Sequence, residues 1–198
     1  MTRRLVQLYV GLVLYGVSLA LMIRAELGLD PWDVFHQGVA DRLPLTFGQV
    51  VIVVGALVLL AWIPLRQRPG LGTISNVIVI GLAVDAALAV LPAPDPMAWR
   101  IALLGSGVVL NGIATAAYIG ARLGPGPRDG LMTGLVARTG RSVRLVRTSI
   151  ELSVLATGWL LGGTVGVGTV LYAISIGPLV HLLLPLLTVP ERLELVSD

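Results

Sequence analysis

The chain has 198 residues, of which 56% are apolar and 13% charged, and its mean hydropathy is +0.90. Soluble domains carry roughly 25% charged residues, so lipid is the main solvent of this chain and no soluble catalytic domain fits within its length. With no Cys and only 2 His, it offers no disulfide, no thiolate nucleophile and no dedicated metal site, and neither a metal nor a cofactor is expected. All 14 basic residues are Arg, against 11 acidic ones. They cluster at the ends of apolar segments, which is how charge orients a membrane protein, so no nucleic-acid partner is expected.

Residues 16–91 can be laid on residues 112–187 at a constant offset of 96, and 23 of the 76 paired positions are identical. The matches include Gly16 with Gly112, Gly28 with Gly124, Pro31 with Pro127, Asp33 with Asp129, Gly70 with Gly166, Gly72 with Gly168, Thr73 with Thr169 and Gly81 with Gly177. Self-similarity at one period decides architecture before any single residue does. The chain is read as an all-α polytopic membrane protein forming one membrane domain, 1–198. Repeat one covers 5–91, a linker 92–100, repeat two 101–187 and a cytoplasmic tail 188–198.

Six apolar stretches, 5–23, 47–65, 73–91, 101–121, 143–161 and 169–187, approach the ~20 residues a helix needs to span a bilayer. The first follows Met1-Thr-Arg-Arg and has the outline of a signal peptide. It is long enough to span, however, and the repeat begins inside it at Gly16, so it is read as a retained membrane helix. Next comes Gly28-Leu-Asp-Pro-Trp-Asp33, matched in the second half by Gly124-Pro-Gly-Pro-Arg-Asp129. Pro31 and Pro127 suit the first helical position, where no N–H is needed. Asp30 or Gly126 is then the N-cap, and Asp33 or Asp129 the third helical residue, near the positive end of the dipole. Trp32, Phe35, Val39 and Leu43 share one face of this short amphipathic helix, which either lies in the membrane interface or dips in as a re-entrant element.

Thr46-Phe-Gly-Gln49 fits a capping box for the second span, and Ser142 keeps the cap in the other half. Gly70-Leu-Gly-Thr73 and Gly166-Val-Gly-Thr169 open the third and sixth spans. Such glycine pairs either turn backbone N–H groups toward an anion or form a tight loop capped by Thr. Pro92, Pro94 and Pro96 stop the third span. Gly112, Ala116 and Gly120, like Gly16 and Ala20, recur at a spacing that lets helix backbones approach, which makes the first span of each half a central packing helix.

An odd number of spans per half reverses the second copy, so the halves are expected to form an inverted three-plus-three repeat about an axis in the membrane plane. With the N-terminus inside, Arg3, Arg4, Arg66, Arg68, Arg122, Arg128, Arg138, Arg141, Arg144, Arg147 and Arg192 fall on the cytoplasmic side. Arg24, Arg42 and Arg100 fall outside, and 11 against 3 is a positive-inside bias. Both termini are therefore expected in the cytoplasm.

Ionisable residues within spans are costly and point to function. Asp85 lies inside the third span, and its repeat mate is His181. The two could pass a proton, hold a cation, neutralise each other or lie apart. Glu151 stands one turn after Arg147, the spacing of an intrahelical salt bridge. Asn76 and Asn111 have the chemistry of interhelical hydrogen bonds. His36 stands beside Asp33, with packing and a wet ring tip as its expected role. No catalytic motif occurs, so no enzyme is expected.

At Gly28-Leu-Asp-Pro-Trp-Asp33, Gly70-Leu-Gly-Thr73 and Asp85, the chain resembles the YczE/YyaS/YitT-type bacterial integral membrane proteins. The resemblance runs from the first span through the sixth and implies a multi-pass protein of the bacterial inner membrane with no settled substrate. Gly126 and Arg128 depart from Asp30 and Trp32, which argues against a symmetric site. The leading functional expectation is a small secondary transporter or permease for a small polar solute or ion, by alternating access at the repeat interface. Its candidate binding residues are Asp33, Asp129, Asp85, His181, Asn76, Thr73 and Thr169, with Asp85 as coupling charge. Gly28, Pro31, Gly124, Pro127, Gly70, Gly72, Gly166 and Gly168 are assigned to loop and cap structure. The alternative is a non-transporting assembly or regulatory partner of another membrane system. The lipid bilayer is the expected surrounding, and a homodimer is compatible with so small a bundle.

Overall fold

A computed structural model describes residues 1–190, which form eight helices and, among the described residues, no strand. These are α1 (Thr2–Ala25), α2 (Pro31–Ala40), α3 (Phe47–Leu65), α4 (Leu71–Val90), α5 (Met97–Gly120), α6 (Pro127–Thr139), α7 (Val143–Leu160) and α8 (Val167–Leu187). Arg192 and most of the expected tail lie outside the described residues. The short elements anticipated after the first span of each half are the helices α2 and α6. α5 begins at Met97 rather than at 101, because Pro96 sits at its N-cap and accepts from Trp99 N at 3.0 Å. Residues 97–100 of the expected linker are thus helical.

The starts of the helices are written in local chemistry. Asp30 Oδ1 accepts from Trp32 N and Asp33 N at 2.8 and 3.0 Å, with Pro31 in the first turn of α2. Thr46 and Gln49 close a reciprocal capping box at 3.0 and 3.1 Å, and Ser142 caps α7 through Leu145 N. Gly70 N donates to Thr73 Oγ1, and Gly166 N to Thr169 Oγ1, each at 3.2 Å.

α1 and α5 pack together in opposite directions. Arg100 Nε, early in α5, donates to Ala25 O at the end of α1 (2.8 Å), while Gln7 Nε2, early in α1, donates to Ala117 O late in α5 (2.9 Å). Gly11 and Gly107 make this approach close: a Cβ on Gly11 would lie 3.0 Å from Tyr118 N, and one on Gly107 2.7 Å from Met22 Cγ. The glycines singled out by spacing serve other contacts. Gly16 packs on α4, where a Cβ would lie 2.8 Å from Ile80 O, and Gly112 packs on Leu179 of α8. α4 runs alongside α1 in the same direction, with Tyr9 near Ser75 and Arg24 Nη2 donating to Leu88 O.

Contacts between the halves come in reciprocal pairs. Gly72 N donates to Leu123 O and Gly168 N to Leu27 O, both at 2.7 Å and 96 residues apart on each side. Arg138 Nη1 donates to Pro64 O at the end of α3 (2.7 Å), and its mate Arg42 donates to Leu160 O and Leu161 O at the end of α7 (3.4 and 2.9 Å). A cation at a helix C-terminus meets the negative end of the dipole, so each half closes a helix of the other.

The equivalence fails at one place. α3 lies along α4, where a Cβ on Gly81 would come within 2.6 Å of Gly48 O. The mates of this pair are Arg144 and Gly177. Among the described residues, no atom beyond its own stretch of helix comes within 4 Å of a Cβ on Gly177, and α7 stands away from α8. Five helices (α1, α3, α4, α5 and α8) are long and apolar enough to cross a membrane. α7 has 18 residues but carries Arg144, Arg147 and Glu151, which lower its hydropathy below the other five.

Candidate functional site

A cavity of about 450 Å³ is lined by residues of both halves, α7 and α8 among them. α1 contributes Tyr15, α2 Asp30, Trp32 and His36, α4 Asn76, and α5 Tyr118. α6 contributes Arg128 and Asp129, α7 Arg147 and Glu151, and α8 Tyr172 and His181. Apolar walls come from Val51, Val54 and Val58 of α3 and from Ile176 and Val180 of α8.

Arg128 is the electrostatic centre. It stands in the first turn of α6, where the helix dipole repels a cation. Two carboxylates of the other half compensate: Nη1 is 3.6 Å from Asp30 Oδ1 and Nη2 is 3.5 Å from Asp33 Oδ1. The guanidinium also lies over Trp32, with Cζ 5.0 Å from the ring centroid, a cation–π arrangement. The first-turn residues of α2 and α6 therefore meet at the centre, while the C-terminal ends part toward the ends of α7 and α3.

Asp30 and Asp33 are 2% and 1% exposed. His36 Nδ1 is 3.0 Å from Asp33 Oδ1, and the ring stands edge-on to Phe47 at 5.9 Å. His36 is buried, with a small part of it on the cavity wall. Asn111 ties three helices: its Nδ2 donates to Ser18 Oγ at 2.9 Å, and Tyr172 Oη donates to its Oδ1 at 3.0 Å. Tyr118 Oη donates to Asp129 Oδ2 at 3.3 Å and its ring meets Tyr15 edge-on at 6.2 Å. Arg147 Nε pairs with Glu151 Oε1 at 2.8 Å, the helical spacing anticipated from sequence.

The sequence candidates divide. Asp129, Asn76 and His181 reach the cavity wall, and Asp33 sits behind Arg128. Asp85 has another role: its carboxylate accepts from Thr46 Oγ1 and from Gly48 N (2.8 Å), capping the start of α3. His181 is not among its partners and lies on the exposed side of α8. Thr73 accepts from Gly70 N and donates to Pro125 O (2.7 Å). Thr169 closes the matching loop, and the Gly72 and Gly168 N–H groups meet carbonyls of the other half. These loops are interlocks between halves, the tight-loop alternative of the two readings. Gly28 and Gly124, at φ +111° and +127°, adopt the conformation glycine tolerates best, close against Thr169 and Thr73 respectively.

Sequence reasoning missed Arg128, counted as a cytoplasmic charge, and the rings of Tyr15, Trp32, Tyr118 and Tyr172. A signal for Arg128 existed. A cation in the first turn of a helix is electrostatically misplaced unless something compensates it.

An all-helical bundle of apolar helices around a cavity lined by charged and apolar side chains defines a multi-pass membrane protein. The chain belongs to the family described as "Family of unknown function (DUF6198)", which matches residues 2–185. It is 41% identical over 174 residues to an uncharacterized protein of Haemophilus influenzae, covering 88% of this chain and 80% of that one. It is 38% identical over 180 residues to the uncharacterized membrane protein YczE of Bacillus subtilis, covering 89% and 83%. With the uncharacterized protein YyaS of the same organism it shares 24% identity over 181 residues, covering 89% and 90%. No solved structure matches the chain.

Proposed function

We propose that the protein is a small secondary transporter for a small polar solute or ion, working by alternating access at the interface of two inverted three-helix repeats. The observation that carries this reading is the central cavity, whose charged residues come from both halves: Asp30 from the first, Arg128, Asp129, Arg147 and Glu151 from the second. Transporters built on inverted repeats place their sites at such an interface, beside short helices whose N-termini point inward. The antiparallel packing of α1 on α5 and the reciprocal contacts between halves support inversion. In this reading α7 is the sixth span, tolerated because Arg147 and Glu151 pair and face the cavity. α2 and α6 are re-entrant, the termini are cytoplasmic and the bilayer is the bacterial inner membrane.

The solute site comprises Asp129, Asn76, His181 and the Arg128 cluster. Tyr15, Tyr118 and Tyr172 form walls that accept an apolar or cationic group. The chain is no enzyme in this reading, and a second copy is not required to complete the site. Uptake of radiolabelled amino acids, amines and inorganic ions into proteoliposomes tests the proposal. Accumulation is expected with the wild type and strongly reduced with Asp129→Asn. Vesicles that accumulate nothing above protein-free controls across these classes would remove the reading in favour of a non-transporting partner protein.

A further inference from the structure

Two buried carboxylates face one guanidinium in the Asp30–Asp33–Arg128 cluster, so its formal charges do not balance. Asp30 Oδ1 accepts two backbone N–H groups, and Asp33 Oδ1 meets His36 and Arg128. The other oxygens, Asp30 Oδ2 and Asp33 Oδ2, are fully buried and have no hydrogen-bond partner among the described residues. Arg128 reaches only the Oδ1 atoms, and at 3.5–3.6 Å. Asp33 N donates to Asp30 Oδ1 at 3.0 Å, and the Oδ1 atoms of both carboxyl groups stand under the same guanidinium.

An unpaired buried carboxylate is costly, whereas a proton held between two carboxyls removes one charge and converts one acceptor into a donor. The groups facing the pair supply no better balance. Tyr15 of α1 and Tyr172 of α8 offer no cation, Arg128 of α6 is already shared, and Asp129 beyond it is another carboxyl group rather than a counter-ion. His36 of α2 is enclosed beside Phe47, where a second cation would itself be buried.

We infer that Asp30 and Asp33 hold one proton between them under the Arg128 guanidinium, and that this pair, rather than Asp85, is the proton-coupling site of the cavity. The proton enters from solvent through the cavity that Asp30 lines, leaving the trio electrically neutral. When it leaves, one negative charge is uncovered beside Trp32, and Arg128 is drawn closer to the carboxylates. The coupling role rests on the transport reading, but the shared proton does not.

Infrared spectroscopy of the reconstituted protein tests both parts. At neutral pH the wild type is expected to show a protonated-carboxyl stretch that moves to lower frequency in D2O. The band persists in His36→Gln and Asp85→Asn, and is lost in both Asp30→Asn and Asp33→Asn. Asn is as good an N-cap as Asp, so Asp30→Asn retains the start of α2, and near-wild-type melting checks its fold. Absence of the band in the wild type would overturn the shared proton, as would its survival in both Asn variants or a sodium-dependent rise in melting temperature in its place. A band that is present, together with uptake indifferent to an imposed pH gradient, would overturn the coupling role alone. A band with no uptake of any solute would instead defeat the transport reading.

Discussion

Arg128 lies over its own repeat mate, Trp32, with its guanidinium carbon 5.0 Å from the indole centroid. Two positions that correspond at the 96-residue offset thus touch across the interface between the halves. Two arginines here would repel, whereas a cation and a π-face attract. The sequence difference at this pair is thus one of the contacts that join the halves.

Replacing Arg128 removes the only cation in contact with Asp30 and Asp33 among the described residues. Arg128→Met is expected to destabilise the protein by about 3 kcal/mol, the lower end of what breaking a buried pair costs, because the guanidinium side chain is 30% exposed. Thermal melting in detergent measures this. In an Arg128→Met/Asp30→Asn/Asp33→Asn triple variant the loss is expected to shrink, since the negative charge that Arg128 balances has gone with it. A triple variant as unstable as the sum of Arg128→Met and the Asp30→Asn/Asp33→Asn double would mean that the ion pair contributes little.

Gly48 and Gly177 give opposite expectations for the same kind of substitution. A Cβ at Gly48 would lie 2.6 Å from Asp85 Cγ and press on the Gly81 carbonyl, so Gly48→Ala should cost about 1–3 kcal/mol through overpacking. Gly177 has open space around it, and Gly177→Ala should be neutral or stabilising by up to about 1 kcal/mol, the helix-propensity difference. Paired melting curves distinguish the two sites.

Asp85 is placed by its partners as the cap of α3, so Asp85→Asn is expected to cost about 1 kcal/mol of stability. It should leave any pH-gradient-driven uptake within about twofold of wild type, a change of under about 0.5 kcal/mol in activation terms. Loss of uptake without loss of stability would return Asp85 to a coupling role.

The chain contains no Cys, so single cysteines can be introduced without background. Ile150→Cys and Val180→Cys lie on the cavity wall, and Val53→Cys lies on an outward face of α3. A membrane-impermeant thiol reagent should label the first two from the cytoplasmic side only, and the third from neither. Arg68→Cys is expected to label from the cytoplasm and Pro94→Cys from outside. Labelling in the reverse sense would invert the proposed topology.

The parts of the fold that were legible in the sequence are those settled by neighbours along the chain. Asp30 with Pro31, Thr46 with Gln49, and Arg147 with Glu151 each interact within a helical turn, and each forms as its spacing requires. The repeat also gave the correspondence of all eight helices. What spacing does not encode is which distant element a side chain meets. Asp85 looked like a lone charge in a span, because the N–H that satisfies it belongs to Gly48. Arg128 looked like a surface anchor, because its counter-ions lie nearly a full repeat away. Gly11 and Gly107 fell outside or at the margin of the spacing pattern, yet they set the α1–α5 approach.

The contact of Gly48 with Gly81, replaced in the second half by Arg144 and Gly177, has a thermodynamic consequence. On the α3–α4 side the latch is steric, backbone against backbone, and its strength is indifferent to dissolved salt. On the α7–α8 side any closure must bring the face bearing Arg144, Arg147 and Glu151 against an apolar helix, and so must strip water from ions. The Coulombic part of that work depends on ionic strength. In the proposed alternating-access cycle, raising ionic strength is therefore expected to shift closure on the α7–α8 side and to leave the α3–α4 contact unchanged.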